Sequence, residues 1–315
     1  MTHVVVTGAA GFIGRHLCRL LAASGRSVVG LGHGDWPQED VEAAGIRAWK
    51  SGEVDSSSLD ELAAKYGTPA QVFHLAGGSS VTVSLRDPRG DFLRSVGSTV
   101  ELLDWLRREA PSAGLTAISS AAVYGTGHHG AIREDAPLRP QSPYGHHKQM
   151  MEGLLQSYAQ SFGTRSVIVR LFSVYGAGLH KQLLWDLCSR LARGVQRVEL
   201  QGSGEEVRDW TDVRDTVRAI EIVSPKASTE VPVINVGTGI GTPVREIARL
   251  TAAAWSGDAA PVAASFSGLR REGDPFGLQA DASRLSALGF SWTIPLPQGI
   301  EDYVRWFRAQ ADRTA

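Results

Sequence analysis

The chain opens on a β-branched run, His3-Val4-Val5-Val6-Thr7, that breaks straight into Gly8-Ala9-Ala10-Gly11-Phe12-Ile13-Gly14. No other stretch limits the fold as much. A buried strand that ends in a tight turn and passes at once into a helix aims bare backbone N–H groups at a pyrophosphate. Gly8 permits the turn, Gly11 lets the phosphates approach, and Gly14 lets helix and strand pack closely. The spacing is G-x-x-G-x-x-G, a variant of the commoner G-x-G-x-x-G. A glycine triplet alone fits a flexible loop equally well. Here it precedes a helical pattern with Ile13, Leu17, Leu20 and Leu21 on one face and Gly25 past its end, which selects the dinucleotide reading.

Strand-like and helix-like runs alternate through the first half. Strands are expected at His3–Thr7, Ser27–Leu31, Ile46–Lys50, Gln71–Leu75, Leu115–Ser119 and Arg165–Arg170, with helices at Phe12–Ser24, Leu59–Tyr66, Gly90–Glu109 and Gly145–Phe162. The strands are apolar almost throughout, as strands buried on both faces must be. The pattern predicts an α/β fold: a doubly wound parallel (Rossmann) sheet with a smaller C-terminal α/β substrate lobe. Beyond about residue 175 the rhythm loosens. A loop at Gly176-Ala177-Gly178 leads to a helix at Leu183–Arg193, a strand at Val195–Leu200, a helix at Asp212–Val223 and a short strand at Val231–Val236. Pro243–Trp255 and Leu296–Ala309 read as surface helices. Residues 1–175 are expected to form the dinucleotide-binding domain, with 212–240 returning to it. Residues 176–315 are expected to form mainly the substrate lobe.

Charge and composition exclude some functions. A formal net charge of −1 gives no basic surface for nucleic acid or an anionic membrane. No apolar run is long enough to span a bilayer, and the chain enters a strand within a few residues, so no signal peptide is expected. Cys18 and Cys188 lie far apart in apolar helical patterns and read as reduced core residues of a cytoplasmic protein. His128-His129 and His146-His147 read as loop and helix-surface histidines, so no metal site is expected.

Tyr144 and Lys148 stand four apart in Tyr144-Gly145-His146-His147-Lys148, which puts both on one helix face. A phenol is a poor base until a nearby ammonium stabilises the phenolate. Such a pair can take a proton from a sugar hydroxyl while hydride moves to a nicotinamide. Ser119-Ser120 follows a parallel strand and so lies at its carboxyl end, where ligands bind in such sheets.

With these residues in place, the chain resembles an extended short-chain dehydrogenase/reductase of the nucleotide-sugar epimerase/dehydratase family. The matching stretches are TGAAGFIG (Thr7–Gly14), FHLAG (Phe73–Gly77), SSAAVYG (Ser119–Gly125), SPYGHHK (Ser142–Lys148), RLFSVYGAG (Arg170–Gly178), RDWTDVRD (Arg208–Asp215), NVGTG (Asn235–Gly239) and REGD (Arg271–Asp274). The resemblance implies Tyr144 as acid/base, Lys148 on the nicotinamide ribose and Ser120 on the substrate hydroxyl. It implies Gly8, Gly11, Phe12, Ile13 and Gly14 at the pyrophosphate, and Leu75, Ala76 and Gly77 along the cofactor. Ser79, Ser173, Gln182, Arg208 and Arg271 are implied at a nucleotide-diphosphate sugar. A homodimer through helices near 90–109 and 145–162 is implied as well.

Four departures from the family pattern bear on the chemistry. The Asp-Glu pair of the dehydratases is Ala121-Ala122, which argues against elimination of water. The acid that ends the second strand and binds the adenosine ribose of NAD is replaced by Gly32, followed by His33. NADP is therefore open beside NAD, with His33 or Arg47 available to a 2′-phosphate, or Asp35 as a substitute acid. The asparagine that props the active-site lysine is Ser95, and the one after Phe172 is Ser173. The leading expectation is a nucleotide-sugar epimerase working through a transient keto-sugar at C4. The alternative is an NADPH-dependent 4-keto-6-deoxy-sugar reductase, towards which RDWTDVRD and the missing acid lean. A non-catalytic NAD(P)-binding sensor is the third reading, against which the intact Ser120, Tyr144 and Lys148 stand.

Overall fold

Seven parallel strands carry the first domain. The computed structural model describes residues 3–195, 197–257, 263–268 and 276–314. In it β1 (His3–Thr7), β2 (Ser27–Gly32), β3 (Ala48–Ser51), β4 (Gln71–His74), β5 (Gly114–Ser120), β7 (Arg165–Leu171) and β11 (Val233–Val236) pair in the order β11–β7–β5–β4–β1–β2–β3. Successive side chains of a strand point to opposite faces, so one apolar run feeds two cores. Val4 and Val6 pack with α1 (Phe12–Ala23) and α9 (Val213–Val223), while Val5 packs with α3 (Ser56–Tyr66), α6 (Ser98–Glu109) and α7 (Pro143–Phe162). Besides α2 (Gln38–Ala43), a short α4 (Val81–Arg86), capped by Ser80, follows the β4 loop.

The helix expected at Gly90–Glu109 is three pieces: α5 (Pro88–Phe92), a π-helical turn at Leu93–Gly97, and α6. Extra residues of this kind in a helix re-aim side chains, and they gather at functional sites. Here the turn buries Ser95 and Val96.

The second lobe is built on β10 (Val207–Asp212). It pairs in parallel with β8 (Ser173–Tyr175) and β14 (Gly277–Ala280), and antiparallel with β12 (Gly241–Pro243); β14 in turn pairs with β6 (Ala131–Ile132). β9 (Arg197–Leu200) and β13 (Ala263–Phe266) form a separate ribbon. The expected surface helices are α10 (Val244–Ser256) and α12 (Leu296–Thr314), and surface is the wrong description. Ile247 of α10 and Ile300, Tyr303, Val304 and Phe307 of α12 close a core with Leu184 and Cys188 of α8 (Gln182–Ala192). Their apolar residues recur at helical spacing because the three helices bury one another, away from the large sheet. α11 (Ser283–Ala287) completes the described elements.

Candidate active site

The sheet order reverses between β1 and β4, and a ligand crevice opens outside the carboxyl ends at such a point. Gly8–Gly14 and Leu75–Gly77 flank it. Gly8 has φ +67°, and a Cβ there would stand 2.8 Å from Ala76 N; a Cβ on Gly14 would stand 2.2 Å from Gly8 O. Bare backbone therefore shapes the crevice: a side chain at Gly8 would drive the two loops apart, and one at Gly14 would push α1 off the turn. Gly11 caps α1 without a side-chain hydrogen bond, and the first turn holds no acid. The first-turn N–H groups are left for an anion, so these residues fit a dinucleotide pyrophosphate.

At the ribose end, Gly32 backs onto the same turn, with a Cβ there 3.1 Å from Gly8 N. His33 Nε2 lies 2.9 Å from Glu53 Oε2, and both side chains are largely exposed. Glu53, from the loop after β3, thus supplies an acid beside the end of β2. Arg47 does not reach this place. Its N–H bonds Val28 O at the amino end of the strands, and its guanidinium lies over the Tyr66 ring. The loop does fold back at Asp35, through its carbonyl, which accepts from Arg15 Nη2 at 2.5 Å.

Ser120 ends β5. Its Oγ accepts the Ala122 N–H at 3.2 Å and also bonds the Tyr144 phenol. Tyr144 sits in the first turn of α7, set by the Ser142 cap and Pro143, and its N–H donates to Ser84 Oγ at 3.0 Å. Lys148 is buried one turn on and donates from Nζ to Ile118 O at 2.8 Å. Burial pulls the Lys148 ammonium down to about 8 against the carboxylates of Asp91 and Glu152, which hold it up. Burial also dominates at Tyr144 and raises its pKa; the Ser120 hydrogen bond opposes this and the Asp91 charge adds to it. The phenol is thus raised, not lowered as expected, because burial outweighs the Ser120 hydrogen bond.

The remaining expected residues are spread along the lobe junction. Ser79 is exposed in the loop after Gly77, and its carbonyl accepts from Lys181 Nζ at 3.1 Å. Ser173 lies in β8 opposite Trp210 of β10. Gln182 opens α8 with φ +67°, an uncommon left-handed conformation for a residue other than glycine. Arg208 donates from Nη1 to Val207 O and Phe276 O. Arg271, and with it REGD, lies outside the described residues.

One buried pair was missed. His147, expected on the helix surface, is buried with Nδ1 2.6 Å from Oδ2 of the fully buried Asp91. Asp91 Oδ1 has no hydrogen-bond partner and presses on Gly78, where a Cβ would stand 1.9 Å away. The place of His147 beside Lys148 was the available signal, whereas Asp91 is 56 residues away and gave none. Ser95 also differs from its expected part. Its Oγ accepts the Gly78 N–H at 2.8 Å and so fixes the loop beside Lys148.

Much of the remaining motif chemistry is structural. Asp209 accepts from Thr238 N and Oγ1, Gly239 N and Ala280 N. Asp212 caps α9, and Asp215 accepts from Thr293 and Ile294. The acids of RDWTDVRD therefore staple the lobe together and say nothing about epimerase against reductase. Arg170 forks onto Glu152 at 3.0 and 2.6 Å and donates to Tyr124 Oη, which donates in turn to Asn235 Oδ1.

A sequence profile of the NAD dependent epimerase/dehydratase family matches residues 4–237. The chain is 31% identical to a dTDP-glucose 4,6-dehydratase of Streptomyces griseus, over 97% of this chain and 94% of the relative. It superposes on the crystal structure of the Thermotoga maritima UDP-glucose 4-epimerase with UDP-glucose at a TM-score of 0.87 and 26% identity, covering 98% of this chain and 100% of the other. The Thermus thermophilus UDP-glucose 4-epimerase in complex with NAD gives a TM-score of 0.86 at 29% identity, over 98% and 99%.

Proposed function

The chain belongs to the NAD dependent epimerase/dehydratase family, and on that premise we propose that it is a nucleotide-sugar 4-epimerase acting on a UDP-sugar. Ser120, Tyr144 and Lys148 carry the reading, gathered at the carboxyl end of the sheet beside the glycine cradle, with two alanines where elimination needs acids. Gly8–Gly14 and Leu75–Gly77 would hold NAD, which would supply a reversible hydride acceptor. Tyr144 takes the proton of the C4 hydroxyl and gives it back after the keto-sugar has turned its other face. Ser120 orients the reacting oxygen, and Lys148 would hold the nicotinamide ribose.

Ser79, Ser173, Gln182 and Arg208 are the described residues assigned to the substrate, at the junction of a cofactor domain (1–175 with 212–240) and a substrate lobe (176–315). Ala121 and Ala122 separate this chain from the dehydratase it resembles, because neither can shuttle a proton. The reductase reading loses one of its two supports, since the RDWTDVRD acids are occupied in the fold.

Exposed Phe92, Leu93, Met150 and Phe162 lie along α5, the π turn and α7. They supply the apolar face through which two copies would pair. Among the described residues no helix is long and apolar enough to cross a membrane. Buried Cys18 and Cys188, both pushed up to about 12 by burial, suit the reducing cytoplasm in which we place the enzyme.

The test is conversion of UDP-glucose to UDP-galactose by purified protein without added cofactor. Tyr144→Phe is expected to lower kcat by about a hundredfold or more. Turnover unchanged in that variant would overturn the assignment.

A further inference from the structure

Four side chains with no part in the chemistry above are fully buried beneath the crevice: Thr7, His74, Ser95 and Thr99. Their hydrogen bonds can run in only one direction. Thr99 Oγ1 donates its single proton to Ser95 O at 2.6 Å. At its 3.1 Å contact with His74 Nε2 the Thr99 oxygen must therefore accept, so Nε2 carries the proton. A neutral ring protonated at Nε2 has a bare Nδ1, which accepts the Thr7 hydroxyl at 2.8 Å. The Thr7 oxygen in turn accepts the Ala76 N–H at 3.2 Å. The run is thus Ala76 N–H to Thr7, Thr7 to His74, His74 to Thr99 and Thr99 to the Ser95 carbonyl. From Ser95 the hydroxyl reaches on to the Gly78 N–H.

We propose that this one-way run is a lock on the cofactor seat and that neutral His74 is its positioning residue. It rests on the reading of Gly8–Gly14 as the NAD cradle. The two walls of the crevice are the turn after β1 and the loop after β4. They touch where Gly8 backs onto Ala76 N, with no room for a methyl group. Thr7 immediately precedes the first wall and holds the second by its backbone. Ser95 holds the same loop two residues further, where Gly77 borders Lys148 Nζ. The lock therefore fixes crevice width and the loop beside the lysine together.

Its direction needs an uncharged ring. An imidazolium would donate from both nitrogens, and the Thr7 hydroxyl proton would lose its acceptor in a site closed to water. Burial and the nearby Lys148 cation both oppose that charge and bring His74 down to about 3. Two stretches that looked independent in the sequence (Thr7 in TGAAGFIG and His74 in FHLAG) are in this way joined, through Thr99, to Ser95 as parts of one device.

Nitrogen-15 NMR of the full chain with added NAD reads the tautomer directly, with His74→Gln assigning the signals. The expected result is a protonated Nε2 and a bare Nδ1, unchanged between about pH 8 and about pH 5. A protonated Nδ1 overturns the proposal whether or not any variant folds. Calorimetric NAD affinity, measured on protein freed of any copurified cofactor, supplies the second reading. Thr7→Val and Thr99→Val, which keep shape and lose the hydroxyl, are each expected to weaken binding about tenfold. The double variant is expected to be little worse than either single, because one broken link already opens the run. Thr7→Ser and Thr99→Ser restore affinity to within about threefold. Unchanged affinity in the valine variants, or losses that multiply, would count against the lock. A wild-type chain that binds no NAD would instead overturn the cradle reading, and the tautomer would still decide the lock.

Discussion

His74 has a consequence for stability as well as for the crevice. Its folded pKa of about 3 lies well below the ordinary imidazole value of about 6.5. Between those values the unfolded chain binds a proton that the folded chain refuses, so stability rises with pH across the window. The contribution is complete above about pH 6.5 and is lost as pH falls towards 3. Denaturant unfolding at about pH 7 and about pH 5 is expected to show a smaller loss for His74→Gln than for the wild type. Equal losses would mean that the ring is not held neutral. Single residues were legible where their demands are local. Gly8 and Gly14 could be placed because a turn and a close approach admit nothing else. His147 could not, since its buried partner Asp91 comes from a helix with no sequence link to it. Arg47 was misplaced for a related reason: strand register, which the sequence leaves open, put it at the wrong end of the sheet.

Elements are tied together beneath the site by the buried fork of Arg170 on Glu152, which joins β7 to α7. Ser119 at the end of β5 donates to the same carboxylate at 2.5 Å. Removing one member of a buried pair leaves an uncompensated charge, whereas removing both leaves an apolar contact. Arg170→Met is expected to destabilise the fold by about 3–5 kcal/mol, measured by denaturant titration. Adding Glu152→Leu should recover part of that loss, and a double variant worse than the single would contradict the account. At this scale the apolar periodicity gave the strands and helices of the parallel sheet, because each packs on a neighbour of the same βαβ rhythm. It failed for α10 and α12, whose faces look like surface helices until the two are packed on each other and on α8. It failed also for β10, where Asp209, Thr211 and Asp212 are buried in a strand that no hydrophobic pattern marks. Asp209 is held there by hydrogen bonds from segments distant in sequence, Thr238 and Ala280, and Asp212 by Arg214 two residues on.

Across the whole molecule, the two lobes meet over the crevice, and Lys181 spans it. Its ammonium donates from the start of α8 to the Ser79 carbonyl, 102 residues away in sequence. Burial lowers its pKa, so the ammonium is partly withdrawn from water. A hydrogen bond from a charged group at such a place contributes about 1.5–3 kcal/mol. Because it joins the loop beside Lys148 to the lobe proposed to hold the nucleotide, its loss is expected to be felt in substrate binding more than in the stability of either lobe. Lys181→Met keeps the length of the stem and removes the charge. It is expected to raise KM for UDP-glucose about tenfold, to leave kcat within about threefold, and to shift the thermal midpoint little. A fall in kcat with KM unchanged would place Lys181 in the chemical step; a lowered midpoint with both constants unchanged would make it a structural tie. The strained Gln182 beside it bears on the same question. A left-handed residue other than glycine costs of order 1–3 kcal/mol unless its surroundings hold it. It stands directly after the residue that bridges the lobes, so relief of the strain is expected to alter that bridge. The KM effect of Lys181→Met should then be reduced in Gln182→Asn, which keeps the amide and adopts the left-handed conformation more readily, and additive losses would separate the two residues.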